Sequence, residues 1–321
     1  MVSVLSQPHF HNEEAAYAYV EARIWPEGPV CPHCGGFDRI SKMQGKSTRV
    51  GTYKCYQCRK PFTVKIGTIF ESSHVAMHIW LQAMFLIVGS KKGISSNQLH
   101  RTLGVTLKTA WFMSHRIREA MKSDDNGFFG EGGGMVEVDE TFIGNDPDKP
   151  FEAKERMGGR KTSPNFRNKI AVLALIDRAT GRSASVVVDN LTISELQPLI
   201  AAKVHPDAVL MTDQARFYTR IGADYAGHEV VNHGTEEYVR KGAPHIHTNT
   251  IEGYFSIFKR GMKGIYQHCH KKHLNRYLAE FDFRYTNRVA TGCNDEDRAQ
   301  RLLSGIVGKR LTYQTTRGAV A

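Results

Sequence analysis

Two short cysteine pairs, in "CPHCGGF" and "YKCYQC", set Cys31, Cys34, Cys55 and Cys58 in a C-x2-C, 20-residue, C-x2-C array. Four thiolates in two such knuckles complete a tetrahedral Zn²⁺ site, and the residues beside them (Gly35, Gly36, Arg59 and Lys60) suit short hairpin tips. The spacing therefore predicts a zinc ribbon within residues 1–70. Sulfur fills every coordination position, so this metal holds a fold and offers no open site to a substrate. A redox pair is the competing reading, but neither CxxC lies in a βαβ context. Cys269 and Cys293 have no partner at metal spacing and read as plain thiols.

The ribbon is followed by a helical segment, residues 71–123. In "MHIWLQAMFLIVGS", Ile79, Trp80, Ala83, Met84 and Ile87 recur at helical spacing. The next stretch reads as helix, Gly-containing turn, helix, with Ser95 or Ser96 capping the first, Gly104 in the turn and Thr106 capping the second. That is the pattern of a helix-turn-helix, and Lys108, Thr109, Ser114, His115, Arg116 and Arg118 of the second helix are candidates for groove or phosphate contacts. A plain helical connector would give the same pattern. The charge favours DNA: the chain carries 43 Lys and Arg against 32 Asp and Glu, a net +11, which points to a polyanionic partner.

Residues 124–134, "DDNGFFGEGGG", have the glycine content of a linker and mark a domain boundary. Beyond it, residues 135–295 alternate strands and helices: "GMVEVDETFIG", then two apolar runs joined through "DRATGR" with Gly181 in the turn, an amphipathic helix, "DAVLMTDQ", "GHEVVNHG" and two C-terminal helices. Three early strands, a crossover helix and a further strand make an α/β domain with a mixed sheet flanked by helices. The polar stretch between the first two strands carries Arg160, Lys161, Arg167 and Lys169, a basic cluster suited to a phosphate backbone. Residues 296–321 read as a C-terminal tail.

Asp139 and Asp213 each end an apolar strand run, where sites in α/β sheets gather. Two carboxylates on neighbouring strands repel unless a cation lies between them, and a hard divalent ion, Mg²⁺ or Mn²⁺, fits oxygen ligands. In "HTNTIEGYFSIFKRG", Asn249 and Glu252 stand three apart on one helix face, and Lys259 follows two turns beyond Glu252 on about the same side. An oxygen donor for the metal and an ammonium for a DNA backbone are what metal-assisted attack on a phosphodiester requires. Lys259, Arg260, Lys263, Lys271, Lys272 and Arg276, with Tyr254, Phe258 and Tyr266 among them, give the last helices a basic character suited to phosphate contact and base stacking.

The motifs "CPHCG…YKCYQC", "GTIF", "VEVDETFIG", "VLMTDQARFY", "VNHGTEEYV" and "HTNTIEGYFSIFKRG…HKKHLNRYLAEFDFRYTNR" resemble the DDE-type transposases of bacterial insertion sequences, more narrowly the ISXO2-like family, over roughly residues 12–290. The resemblance implies a ribonuclease H-like catalytic fold, Mg²⁺-dependent cutting and joining of the element's ends, and an N-terminal region that binds terminal repeats. Carried over by position, Asp139 and Asp213 match the first two acids. The third position in such families is Glu or Asn followed by Lys, and this chain has both Asn249 and Glu252. A carboxylate binds a divalent ion more tightly than an amide oxygen does, which favours Glu252 as the ligand, with Asn249 sharing the site or positioning substrate. His233 resembles a family position near the active site, although a structural histidine at a strand end is an equal reading.

The expected function is thus a transposase acting on double-stranded DNA, at terminal inverted repeats and target, as a homodimer or larger assembly. The alternatives are a zinc-ribbon and helix-turn-helix regulator without catalysis, which has no use for the acids, and a nuclease that cuts without joining. The longest apolar run, around "WLQAMFLIVG", is too short to span a bilayer, and "MVSVLSQPHFHNEEAAYAYV" lacks the pattern of a secretory signal, so a cytoplasmic, nucleoid-associated protein is expected.

Overall fold

The computed structural model describes residues 3–122, 127–149, 168–232, 239–240 and 242–312, which form two compact units. Met1–Ser123 and Cys293–Ala321 make the first, and Asp124–Gly292 the second. Of the residues singled out above, Arg160, Lys161, Arg167 and His233 lie outside the described residues. Among the described residues no helix is long and apolar enough to cross a membrane.

In the first unit, helix α1 (Glu13–Ile24) precedes an antiparallel ribbon of β1 (Ile40–Lys42), β2 (Tyr53–Cys55) and β3 (Pro61–Phe62). Cys31, Cys55 and Phe62 are buried at its centre, with Trp25 set edge-on against Tyr53 and Phe62. Helix α2 (Met77–Gly89) buries Met77, Trp80, Leu81, Ala83, Met84, Ile87 and Val88. Its first turn is closed from a distance: the Glu13 carboxylate of α1 accepts the Met77 N–H at 2.8 Å. Helices α3 (Ser96–Leu103) and α4 (Leu107–Ala120) follow with the caps the sequence predicts. Ser95 and Thr106 accept from the N–H groups of Gln98 and Thr109, and Gly104 takes the left-handed φ of 66° between them.

The C-terminal stretch is not a tail. Asp295–Ser304 forms α9, opened by a capping box at Asn294 and Asp297, and it packs on α2 within the first unit. Its buried Leu302 and Leu303 supply the apolar contact, while Arg298 donates to the Val88 carbonyl at 2.8 Å. The acidic, basic-rich sequence of this segment masks a helix with one apolar stripe.

The second unit is a five-stranded mixed sheet in the order β6-β5-β4-β7-β8, formed by β4 (Met135–Ile143), β5 (Ile170–Asp177), β6 (Ser183–Val188), β7 (Val209–Thr212) and β8 (Gly227–Val230). The first three strands form an antiparallel meander; β7 then returns parallel to β4, and β8 parallel to β7. This is the arrangement of a ribonuclease H-like domain. All eight residues of β5 are buried because helices cover both faces. On one face Val136, Val138, Leu173 and Leu175 meet Leu196 and Ile200 of α5 (Ile193–Ala201) and Tyr218 and Ile221 of α6 (Arg216–Gly222). On the other, Val172, Ala174 and Ile176 meet Ile251, Tyr254, Phe255 and Phe258 of α7 (Asn249–Gly261) and Leu274, Tyr277, Leu278 and Phe281 of α8 (Lys271–Thr286). Burial of each large side chain such as Phe258 contributes about 2–3 kcal/mol. The strand-to-strand turn at Gly181 forms as predicted, with the glycine at φ 69° and the Asp177 carboxylate accepting from Ala179 and Thr180.

Candidate metal centres and catalytic site

In the ribbon the two knuckles bring four sulfurs together, with Cys31 Sγ 3.7 Å from Cys58 Sγ and Cys34 Sγ 3.7 Å from Cys55 Sγ. A tetrahedron of thiolates with bonds of about 2.3 Å has edges of about 3.8 Å, so the spacing fits Zn²⁺, whereas a disulfide needs about 2.05 Å. The N–H groups of Cys58 and Gln57 point at Cys55 and pull its thiol down to about 7, toward the thiolate that a metal binds. Cys269 and Cys293 are not among the clustered cysteines and form no disulfide.

The second cluster forms where the sheet opens. Strand β7 pairs with β4 only from Met135 to Glu137 and ends at Thr212, so beyond Val138 one edge of β4 has no strand beside it among the described residues. Side chains alternate along β4, so Asp139 projects on the α7 side and Glu140 on the α6 side. At an open edge both can turn toward the gap, and Asp213, the first residue after β7, lies there too. Carboxylate oxygens of Asp139, Glu140 and Asp213 all fall within 4.8 Å of one another.

The electrostatics follow from that crowding. Burial, then the charges of Glu140, Asp213 and Glu252, push Asp139 up to about 8. Burial and Asp213 push Glu140 up to about 7, opposed by the Tyr218 hydroxyl, which donates to Glu140 Oε2 at 2.7 Å. Tyr218 is itself fully buried, and its pKa is driven well above the usual phenol value by burial and then by the carboxylates. Asp213 is steadied by accepting the Ala215 N–H at 2.9 Å. Such a group of acids fits a divalent cation, whose charge would offset a repulsion that the protein otherwise bears.

Helix α7 carries the remaining predicted residues, and two of them, Glu252 and Lys259, are near enough to interact with the charge of Asp139. Glu252, in its first turn, is outside the 4.8 Å cluster yet close enough for its charge to act on Asp139. Asn249 is the first residue of the same helix, exposed, one turn before Glu252. Lys259 is half-buried, and its ammonium is pushed down by burial and then by Lys263, while Asp139 acts in the opposite direction. Glu140, immediately beside Asp139 in "VDET", is the acid that sequence reasoning missed, because period-2 alternation assigns adjacent residues to opposite faces.

Several basic residues assigned to DNA have other occupations. Arg116 is buried and donates to the carbonyls of Ile69 and Glu71 at 2.8 Å, and to that of Leu311; Arg118 is 1% exposed. Ser114, His115, Arg116, Ile117 and Arg118 are all buried, so this stretch of α4 is enclosed on every side within the first unit rather than presenting a basic face. Lys271 is clasped by Asp146, Asp148 and Asp189 at 2.9–3.1 Å, so its charge is already neutralised within the fold. Tyr254 and Phe258 are core residues, not stacking surfaces. Lys108, Arg260, Lys263 and Lys272 remain exposed.

Two family models match separate parts of the chain. Residues 132–286 match the ISXO2-like transposase domain and residues 11–61 the transposase zinc-ribbon domain. A protein in transposable element ISH50 of Halobacterium salinarum is 27% identical over 281 residues, covering 86% of this chain and 91% of the relative. A transposase-like protein of Haemophilus influenzae is 30% identical over 103 residues, 32% of this chain and 80% of the relative. Among solved structures, a chain of the Mos1 strand transfer complex is 15% identical, covering 69% of this chain and 72% of that one, at a TM-score of 0.29. With ribbon and catalytic domain both matched and the acids gathered at the sheet edge, this chain belongs to the ISXO2-like transposase family.

Proposed function

We propose that the chain cuts the DNA at the ends of an insertion sequence and joins those ends to a target, using a divalent ion held by Asp139 and Asp213 with Glu252 or Asn249 as the third oxygen donor. The observation that supports this most directly is the convergence of three carboxylates within 4.8 Å at the open end of β4. A regulator would gain nothing from that arrangement, which costs folding free energy. What Mg²⁺ or Mn²⁺ supplies there, when bound, is activation of the attacking oxygen and neutralisation of the leaving oxygen in an in-line phosphodiester displacement. The protein's part is to fix positions. Asp139 and Asp213 project from neighbouring parallel strands; Tyr218 holds Glu140 toward them; Lys259 stands beside Asp139 as a cation for a phosphate oxygen.

Exposed Arg260, Lys263 and Lys272 in the second unit, and exposed Lys108 at the start of α4 in the first, are the cations that each unit would offer to a DNA backbone. The inverted repeats at the element's termini are the expected specific sites, and two ends held together imply a homodimer or larger assembly on DNA. The test is cleavage and joining of terminal-repeat DNA in Mg²⁺. Asp213→Asn is expected to reduce both to background while leaving DNA affinity unchanged, and retained cleavage would overturn the assignment. In the same assay, Glu252→Ala is expected to lose more activity than Asn249→Ala; the reverse order assigns the third ligand to Asn249.

A further inference from the structure

Glu137 is a carboxylate with no exposed surface, two residues before Asp139 on the same face of β4. A buried charge of this kind is stable only when its lone pairs are occupied. Arg178, at the end of β5, donates from Nε to Glu137 Oε1 at 2.6 Å, and His247 Nδ1 lies 3.4 Å from the same oxygen. The other oxygen accepts the backbone N–H of Ile251 at 2.8 Å.

That last bond joins two distant parts of the site. Ile251 sits in the first turn of α7, between Asn249 and Glu252, and Thr248 at the N-cap makes no side-chain cap of its own. The turn that leads into the helix is held by the same arginine, which donates to the carbonyls of His245 and His247 and lies 2.9 Å from His247 Nδ1. One carboxylate of β4 therefore satisfies an orphan N–H of α7, faces the positive end of its dipole and ties down the chain before it.

We propose that Glu137 is a positioning residue: a latch that fixes the first turn of α7 against β4, and so sets Asn249 and Glu252 relative to Asp139 for metal binding. The inference rests on the metal-site reading above and adds a component that touches neither metal nor DNA. Partners that orient metal ligands change affinity by about 10- to 100-fold when removed.

The test uses the zinc-loaded full chain and Mn²⁺ alone. Mn²⁺ binding is followed by electron paramagnetic resonance, and hydrogen exchange is read over residues 249–255 of α7 and 171–176 of β5. Glu137→Ala is expected to weaken Mn²⁺ binding by about tenfold or more and to speed exchange in α7 with β5 unchanged. Glu137→Gln keeps an acceptor for Ile251 but loses the charge that Arg178 meets, and should fall between the two. Wild-type Mn²⁺ affinity and α7 exchange in Glu137→Ala would overturn the latch. If Glu137→Ala loses β5 protection as well, Glu137→Gln decides: intact β5 with wild-type Mn²⁺ binding overturns the proposal, and weakened binding upholds it. Faster α7 exchange in Glu137→Ala, from a wild type that binds no Mn²⁺, would uphold the anchoring of α7 and sink the metal reading instead.

Discussion

The two ligand clusters of this protein are built in opposite ways. The ribbon collects four sulfurs from two knuckles 20 residues apart, in a module of short strands with a small core close by in sequence. The acid cluster collects Asp139, Glu140 and Asp213 from two strands that are neighbours only through the sheet's topology, with Glu252 supplied by a helix further on. In the ribbon the metal stabilises the fold. At the sheet edge the fold stabilises the site, and the site strains the fold.

If that contrast is right, removing the metals should have unequal effects. Cys31→Ser is expected to give the largest: loss of the bound zinc, about one equivalent, by atomic absorption, with melting of the ribbon in circular dichroism. The second unit should keep its cooperative transition. Full zinc retention by the serine variant would break the comparison at its base.

A smaller effect, of opposite sign in pH, is expected at the acids. Asp139 and Glu140 are held above their ordinary values, at about 8 and about 7. Each is bound to a proton more tightly in the folded than in the unfolded chain, so the stability they contribute is complete below about pH 4 and is lost as pH rises through about 7 to 8. Thermal melts of the second unit without added divalent ion should therefore fall between pH 5 and pH 9, by up to about 1.4 kcal/mol per pH unit for each proton released. Added Mg²⁺ should restore more at pH 9 than at pH 5. The ribbon should run the other way, releasing zinc in acid as its thiolates protonate. A melt that is flat with pH would mean that the carboxylates are less crowded than the geometry indicates.

The smallest effect sharpens the contrast further. Tyr218→Phe removes the hydroxyl that holds Glu140 in its ionised form, at about 1.5 kcal/mol, or roughly tenfold in the Mn²⁺ midpoint, with the zinc content unchanged. An unchanged midpoint would mean that the Tyr218–Glu140 bond does not help to assemble the acids around the ion.

The same difference explains what could be read in advance. The ribbon, both helix caps at Ser95 and Thr106, the Gly181 turn and the place of Asp213 just after β7 are written in residues a few positions apart, where spacing and turn chemistry decide the outcome. Glu140 and the Glu137 latch are not, because their meaning depends on where β7 stops and where α7 docks. Asp139, expected at a strand end, lies in the middle of β4 because the strand runs on to Ile143 against β5. Arg116 and Arg118 mislead for a related reason: charge suggests a surface, and only the packing of α4 shows that their guanidinium groups bond to backbone or lie in the core. Helix α9 escapes a sequence reading because ten residues with one apolar stripe do not announce a partner 210 residues upstream.

That last helix has a consequence for biogenesis. The first unit is discontinuous, and α2 obtains its cover from residues made after the whole second unit has been synthesised. On the ribosome, the catalytic sheet can therefore be complete while the N-terminal unit still exposes part of its apolar surface. A reading frame cut short after residue 292 would release a finished second unit on an unfinished first one, so loss of the last few helical turns would disable the protein while leaving its acid cluster encoded.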